Sequence, residues 1–127
     1  MKIGIMGGTF NPIHNAHLLI AEMAREEYGL DRVIFITDGN PPHKSANVTA
    51  KQRFEMTHIA IADNSAFEED DFEINRSEKS YTVNTLGYLK EKYPNDDLFF
   101  IIGEDSLNDF DKWYLKCVRC LYFRENR

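Results

Sequence analysis

The sequence predicts a doubly wound α/β fold built on a parallel sheet. Three observations carry that prediction. Short apolar runs of strand length alternate with longer segments of helical periodicity. The runs "RVIFIT" (32–37) and "LFFII" (98–102) are apolar without alternation, as expected of strands buried on both faces. The chemically unusual clusters, at 7–17, 38–44, 76–85 and 103–106, all follow strand-like segments. That is the edge at which open parallel sheets bind ligands.

Taken in order, "KIGIM" (2–6) reads as the first strand, running into a glycine turn at Gly7 and Gly8. A helix is expected from His14 to Tyr28, with Leu18, Ala21, Ala24 and Tyr28 on one face and Gly29 as its stop. After the strand at 32–37 comes a loop, "DGNPPHKSANV" (38–48). Thr49 and Gln52 then form a capping box for a second helix over about 50–62. "FEIN" (72–75) reads as a shorter third strand. A third helix is expected over 82–93, with Val83, Leu86, Leu89 and Tyr93 on one stripe and Pro94 ending it. "LFFII" is closed by Gly103, and "CLYF" (120–123) reads as a last strand. Strands alternating with helices imply right-handed crossovers.

The 127 residues suit one domain, and 43% hydrophobic residues suffice for a core. A net charge of −6, from 21 acids against 15 bases, disfavours an extended nucleic-acid surface. It does not disfavour a nucleotide, which a few local donors and a metal ion can hold. No long apolar span or leader is evident, so no membrane association and a cytoplasmic setting are expected. Two cysteines, Cys117 and Cys120, imply no disulfide framework. A lone Cys-x-x-Cys falls short of the four ligands zinc wants, so idle or buried thiols are expected and no protein metal site.

The richest stretch is "GGTFNPIHNAH" (7–17). Gly7 and Gly8 allow a sharp turn and close backbone approach to a ligand. The helix that follows offers unpaired N–H groups and a positive dipole end, a natural anion site. His14 and His17 stand three apart, so both rings share a helix face and can serve one anion. Neither the G-x-G-x-x-G fingerprint nor the P-loop is present. On these residues alone, a strand–helix turn capped by Asn11, with Pro12 near the first helical position and two solvated histidines, stays open. Arg53 is open too, as a surface helix residue or as a partner that orders the nucleotide loop.

That stretch is followed by "PPHK" (41–44), "RFEM" (53–56), "SYTVNTL" (80–86), "IIGEDSL" (101–107) and "WY" (113–114). Together they resemble the bacterial nicotinate-nucleotide adenylyltransferases of the H-x-G-H nucleotidyltransferase superfamily, over roughly residues 1–114. The resemblance implies a Rossmann-like fold of the nucleotidylyltransferase type. It implies transfer of AMP from ATP to nicotinate mononucleotide, giving nicotinic acid adenine dinucleotide and pyrophosphate in NAD biosynthesis. It implies catalytic phosphate contacts from His14, His17 and Lys44, and nucleotide contacts from Gly7, Gly8, Thr9, Phe10, Asn11, Gly103, Asp105 and Ser106. The acceptor falls to Ser80, Tyr81, Thr82, Thr85, Trp113 and Tyr114. In that scheme N–H groups near Thr85 receive the nicotinate carboxylate and Trp113 stacks on the pyridine ring. Mg²⁺ is expected mainly on the ATP phosphates. For Lys44 an exposed lysine, for Asp105 a helix cap and for Trp113 a core side chain are the plainer alternatives.

Two departures stand out. Ala16 replaces the glycine usual between the two histidines, and Glu104 replaces a small residue. The family's I-S-(S/T)-T-x-x-R signature has no match, so residues 1–127 are expected to be a single nucleotidyltransferase domain lacking its C-terminal part. An uncovered apolar edge would then favour self-association into a homo-oligomer. Two alternatives follow: a catalytically weak nucleotide-binding domain, or a transferase for another acceptor, such as nicotinamide mononucleotide or pantetheine phosphate.

Overall fold

The computed structural model describes residues 1–8, 10, 12–39, 49–75, 82–103 and 119–123. The elements in chain order are β1 (Lys2–Gly8), α1 (Asn15–Tyr28), β2 (Arg32–Thr37), α2 (Ala50–Ile61), β3 (Phe67–Asp70), α3 (Thr82–Lys92), β4 (Asp97–Gly103) and β5 (Arg119–Phe123). All five strands join one parallel sheet in the order β3-β2-β1-β4-β5. β1 is central, with Ile5 beside Ile34 on one side and Phe100 on the other. The strand order reverses direction between β1 and β4, which opens a crevice at their carboxyl ends.

Strand alternation divides the core in two. Met6, Val33, Phe35 and Phe67 pack with Ala21 and Ala24 of α1 and Ile61 of α2. Ile3, Ile5, Ile34, Ile36, Leu98 and Phe100 pack with Leu86 and Leu89 of α3. Helices thus cover both faces, which is why the central strands are apolar throughout. Burying a side chain such as Leu89, 0% exposed, contributes roughly 1.5–3 kcal/mol.

Most expected boundaries match within two residues. The Thr49–Gln52 box is present in both directions, with Gln52 N donating to Thr49 Oγ1 at 3.1 Å and Thr49 N to Gln52 Oε1 at 3.0 Å. Gly29 ends α1 at φ 64°. Three expectations need correction. The third strand is Phe67–Asp70, not 72–75. Pairing with Val33–Ile36 makes the acidic "FEED" a strand, and its acids find partners: Glu68 meets Arg32, and Asp70 meets Tyr88 and Lys92. Residues 72–75 instead form a turn, closed by Asn75 N donating to Asp71 O at 3.2 Å. Tyr28 is 39% exposed, off the buried face of α1, which Ala21 and Ala24 make. Finally, Gly7 and Gly8 are strand residues, and among the described residues of the bend the left-handed one is Phe10, at φ 50°.

Candidate functional site

The start of α1 is built from the two histidines themselves. His14 is the N-cap, in extended conformation. Its Nδ1 accepts from Ala16 N at 3.3 Å, and its own backbone N–H donates to His17 Nδ1 at 3.1 Å. This is the reciprocal arrangement of Thr49 and Gln52, made with imidazoles. The rings lie 3.9 Å apart at 34°. An Nδ1 that accepts carries no proton, so in each neutral ring the proton sits on Nε2. Neither Nε2 has a hydrogen-bond partner among the described residues. The cap therefore fixes the tautomer and, while it satisfies the amides of His14, Ala16 and His17, leaves two Nε2–H donors at the helix start.

His17 is half-buried, and His14 is exposed. The Phe10 ring meets the His17 ring edge-on at 5.1 Å and 81°. Phe10 is 3% exposed and lies in the α1/α2 core, so its ring supports His17 from below. A Cβ on Gly8 would sit 3.0 Å from that ring, so the glycine serves this close approach. Burial, and then the neighbouring His14, hold the His17 imidazole below its ordinary pKa. A neutral donor is therefore its resting state near pH 7. Ala16 is exposed, and what it supplies to the cap is its amide.

Beside the histidines, the chain leaving β2 is tied in place. Asp38 N donates to Gly8 O at 2.9 Å. Arg53 of α2 is 2% exposed, and its Nη1 donates to Asp38 O at 2.6 Å. Burial lowers the guanidinium pKa while Asp38 opposes the shift. Arg53 is therefore no surface residue; it fastens the exit from β2. Gly39 packs so closely on the 71–75 turn that a Cβ would lie 2.1 Å from Glu73 O. The Glu73 carboxylate, in turn, accepts from Thr85 Oγ1. Thr85 is 5% exposed and its hydroxyl is committed inside the protein, so a ligand at the start of α3 would meet the amides that precede it rather than Thr85 itself.

Of the residues named from sequence, the structure brings Gly8, Phe10, His14 and His17 into one cluster at the end of β1. Gly7 adjoins it in β1, and Gly103 ends the parallel neighbour β4. Thr82 begins α3 on the opposite face of the sheet, with Thr85 one turn on. Thr9, Asn11, Lys44, Ser80, Tyr81, Asp105, Ser106, Trp113 and Tyr114 lie outside the described residues. Sequence reasoning gave Glu73 no role, and no local pattern marks it. Arg53 did carry a signal, since Arg53, Thr57 and Ile61 repeat every four residues along one buried helix face. Among the described residues no His, Cys, Asp and Glu group of three could hold a metal ion, and no helix is long and apolar enough to cross a membrane.

A family model described as cytidylyltransferase-like matches residues 5–125. The chain belongs to the cytidylyltransferase-like family. Its curated relatives include the nicotinate-nucleotide adenylyltransferase of Citrifermentans bemidjiense, 54% identical over 115 residues, covering 89% of this chain and 53% of that protein. The namesake from Desulfitobacterium hafniense strain Y51 is 53% identical over 114 residues, covering 88% and 55%. This cytidylyltransferase-like chain thus spans about half the length of the curated relatives it matches. Among solved structures, a nicotinate-nucleotide adenylyltransferase from Vibrio parahaemolyticus superposes with a TM-score of 0.80 at 23% identity, covering 99% of this chain and 75% of that one. The Plasmodium falciparum nicotinic acid mononucleotide adenylyltransferase, solved with NaAD, gives 0.77 at 21%, covering 97% and 74%. At these identities the superpositions establish the fold: the doubly wound nucleotidyltransferase architecture expected from sequence.

Proposed function

We propose that this cytidylyltransferase-like chain transfers the adenylyl group of ATP to nicotinate mononucleotide, forming nicotinic acid adenine dinucleotide and pyrophosphate. The observation that carries the reading is the reciprocal histidine cap at the switch point of the sheet, which presents two Nε2–H donors at a helix start. The names of the curated relatives supply the acceptor. In this reading a phosphate oxygen of the acceptor attacks the α-phosphorus of ATP, the bond to the bridging oxygen breaks, and pyrophosphate leaves. No covalent enzyme intermediate forms, so the protein contributes alignment and charge stabilisation. His14 and His17 donate to oxygens where negative charge grows, each such donor being worth about 3–4 kcal/mol in the transition state.

The proposal extends to the neighbouring loops. Lys44, Asp105 and Ser106 serve the nucleotide with Thr9 and Asn11. Amides near Thr85 receive the nicotinate carboxylate, and Trp113 with Tyr114 holds the pyridine ring. Charge-assisted hydrogen bonds to that carboxylate then separate nicotinate from nicotinamide substrates. Mg²⁺ bound with the nucleotide neutralises triphosphate charge. The imidazole Nε2–H donors gathered at this edge suit phosphate oxygens better than a hard cation, so nucleotide oxygens would hold the metal. The proposed setting is the cytoplasm, with ATP and nicotinate mononucleotide as partners.

Pyrophosphate release with ATP, nicotinate mononucleotide and Mg²⁺ tests the reading. Release that depends on the acceptor supports it. ATP binding by calorimetry with no release from any acceptor favours the second reading, a nucleotide-binding domain.

A further inference from the structure

We propose that Glu73 is a positioning residue, a buried strut that joins the start of α3 to the segment leaving β2 and so fixes both walls of the substrate crevice at once. The proposal rests on the function above, which puts the acceptor at the start of α3 and sends the β2 exit on toward Lys44.

Glu73 is 6% exposed. A buried carboxylate is costly, and an apolar side chain of its size would pack as well, so stability alone does not account for it. What it does is directional. Its carboxylate accepts a hydrogen bond from the Thr85 hydroxyl. A threonine inside a helix usually turns that hydroxyl back to its own helix, as Thr57 does to Arg53 O at 3.0 Å. Thr85 instead reaches out of α3 to the 71–75 turn. The other side of that turn bears on the β2 exit, where only glycine fits: the nearest atom to a Cβ on Gly39 is the carbonyl oxygen of Glu73 itself. The neighbouring Asp38 carbonyl is held from behind by Arg53. One residue therefore touches α3 with its side chain and the β2 exit with its backbone. A shift at either wall is therefore felt at Glu73, because both contacts are close-packed.

The decisive variants are Glu73→Leu and Thr85→Val, which remove the bond at nearly constant size, with Glu73→Gln as the conservative control that still accepts from Thr85. Two readouts apply to the same proteins. Amide hydrogen exchange at Leu86 and Gly87, the first bonded turn of α3, is expected to quicken about tenfold in the two disruptive variants, with α1 amides unchanged. KM for nicotinate mononucleotide is expected to rise about tenfold more than KM for ATP, and Glu73→Gln to restore both readouts to within about twofold of the parent. Unchanged exchange in Glu73→Leu and Thr85→Val would overturn the strut, as would a Glu73→Gln protein as impaired as Glu73→Leu. If the parent protein transfers nothing to nicotinate mononucleotide, the proposed function fails, while the exchange measurement still decides the strut.

Discussion

His17 has two tasks in one ring: Nδ1 closes the cap of α1, and Nε2–H is left for a ligand. The tasks can be separated, because α2 closes the same kind of cap with a glutamine at the equivalent position. His17→Gln is expected to keep the cap through Oε1 while replacing the rigid ring Nε2–H with a flexible amide N–H that is no longer aimed by the ring. Turnover should fall about 10²–10³-fold, with the urea midpoint little changed. His14→Ala removes the cap acceptor as well, so it should also cost about 1 kcal/mol of stability. The ring titrates too. Burial and His14 keep the folded-state pKa of His17 below the ordinary imidazole value of about 6.5. As pH falls, the unfolded chain therefore takes up this proton first. The contribution of His17 to stability is full above about pH 6.5 and is lost as pH falls through the depressed pKa. Protonation also puts hydrogen on Nδ1, where His14 N–H needs an acceptor. Urea midpoints between pH 5 and 8 should show this loss, and His17→Gln should flatten it.

Elements were legible in the sequence wherever a local rule governed them. "RVIFIT" shows burial on both faces directly, and Thr49 with Gln52 announces α2 through chemistry confined to four residues. Legibility failed where tertiary contacts overrule local preference. "FEED" looks like surface loop and is a strand because β2 offers it a ladder, Arg32 and Lys92 pair with Glu68 and Asp70, and Tyr88 donates a hydrogen bond to Asp70. "FEIN" looks like a strand and is a turn. In the site, spacing sufficed to pair the two histidines, but histidine is not among the usual caps, so the tautomer lock was invisible. The left-handed Phe10 was hidden likewise, since its ring must first find Phe35 and His17. The junction at Gly39 is purely tertiary and can be tested. Gly39→Ala sets a methyl against a backbone oxygen that no rotamer change can move, and is expected to cost about 1–3 kcal/mol in denaturant unfolding. Thr49→Ala, which removes only the α2 cap, is expected to cost about 1 kcal/mol.

Across the whole molecule, two apolar layers share one sheet, and each central strand feeds both. Damage to one layer should therefore be felt in the other. Leu89→Ala, on the α3 face, is expected to cost about 2–5 kcal/mol of a total near 5–15 kcal/mol. Exchange protection should fall together in α1 and α3 if the layers unfold as one unit; loss in α3 alone would show two. The central place of β1 has a further consequence for how the molecule is made. Lys2 ends up beside Asp97, so β1 must wait for a strand made much later before its second flank is paired. At about 5–20 residues per second on the ribosome, that wait lasts on the order of ten seconds. Throughout it the nascent chain carries an apolar strand open along one side, which makes this the interval in which a chaperone, or a neighbouring nascent chain, has its best opportunity to bind.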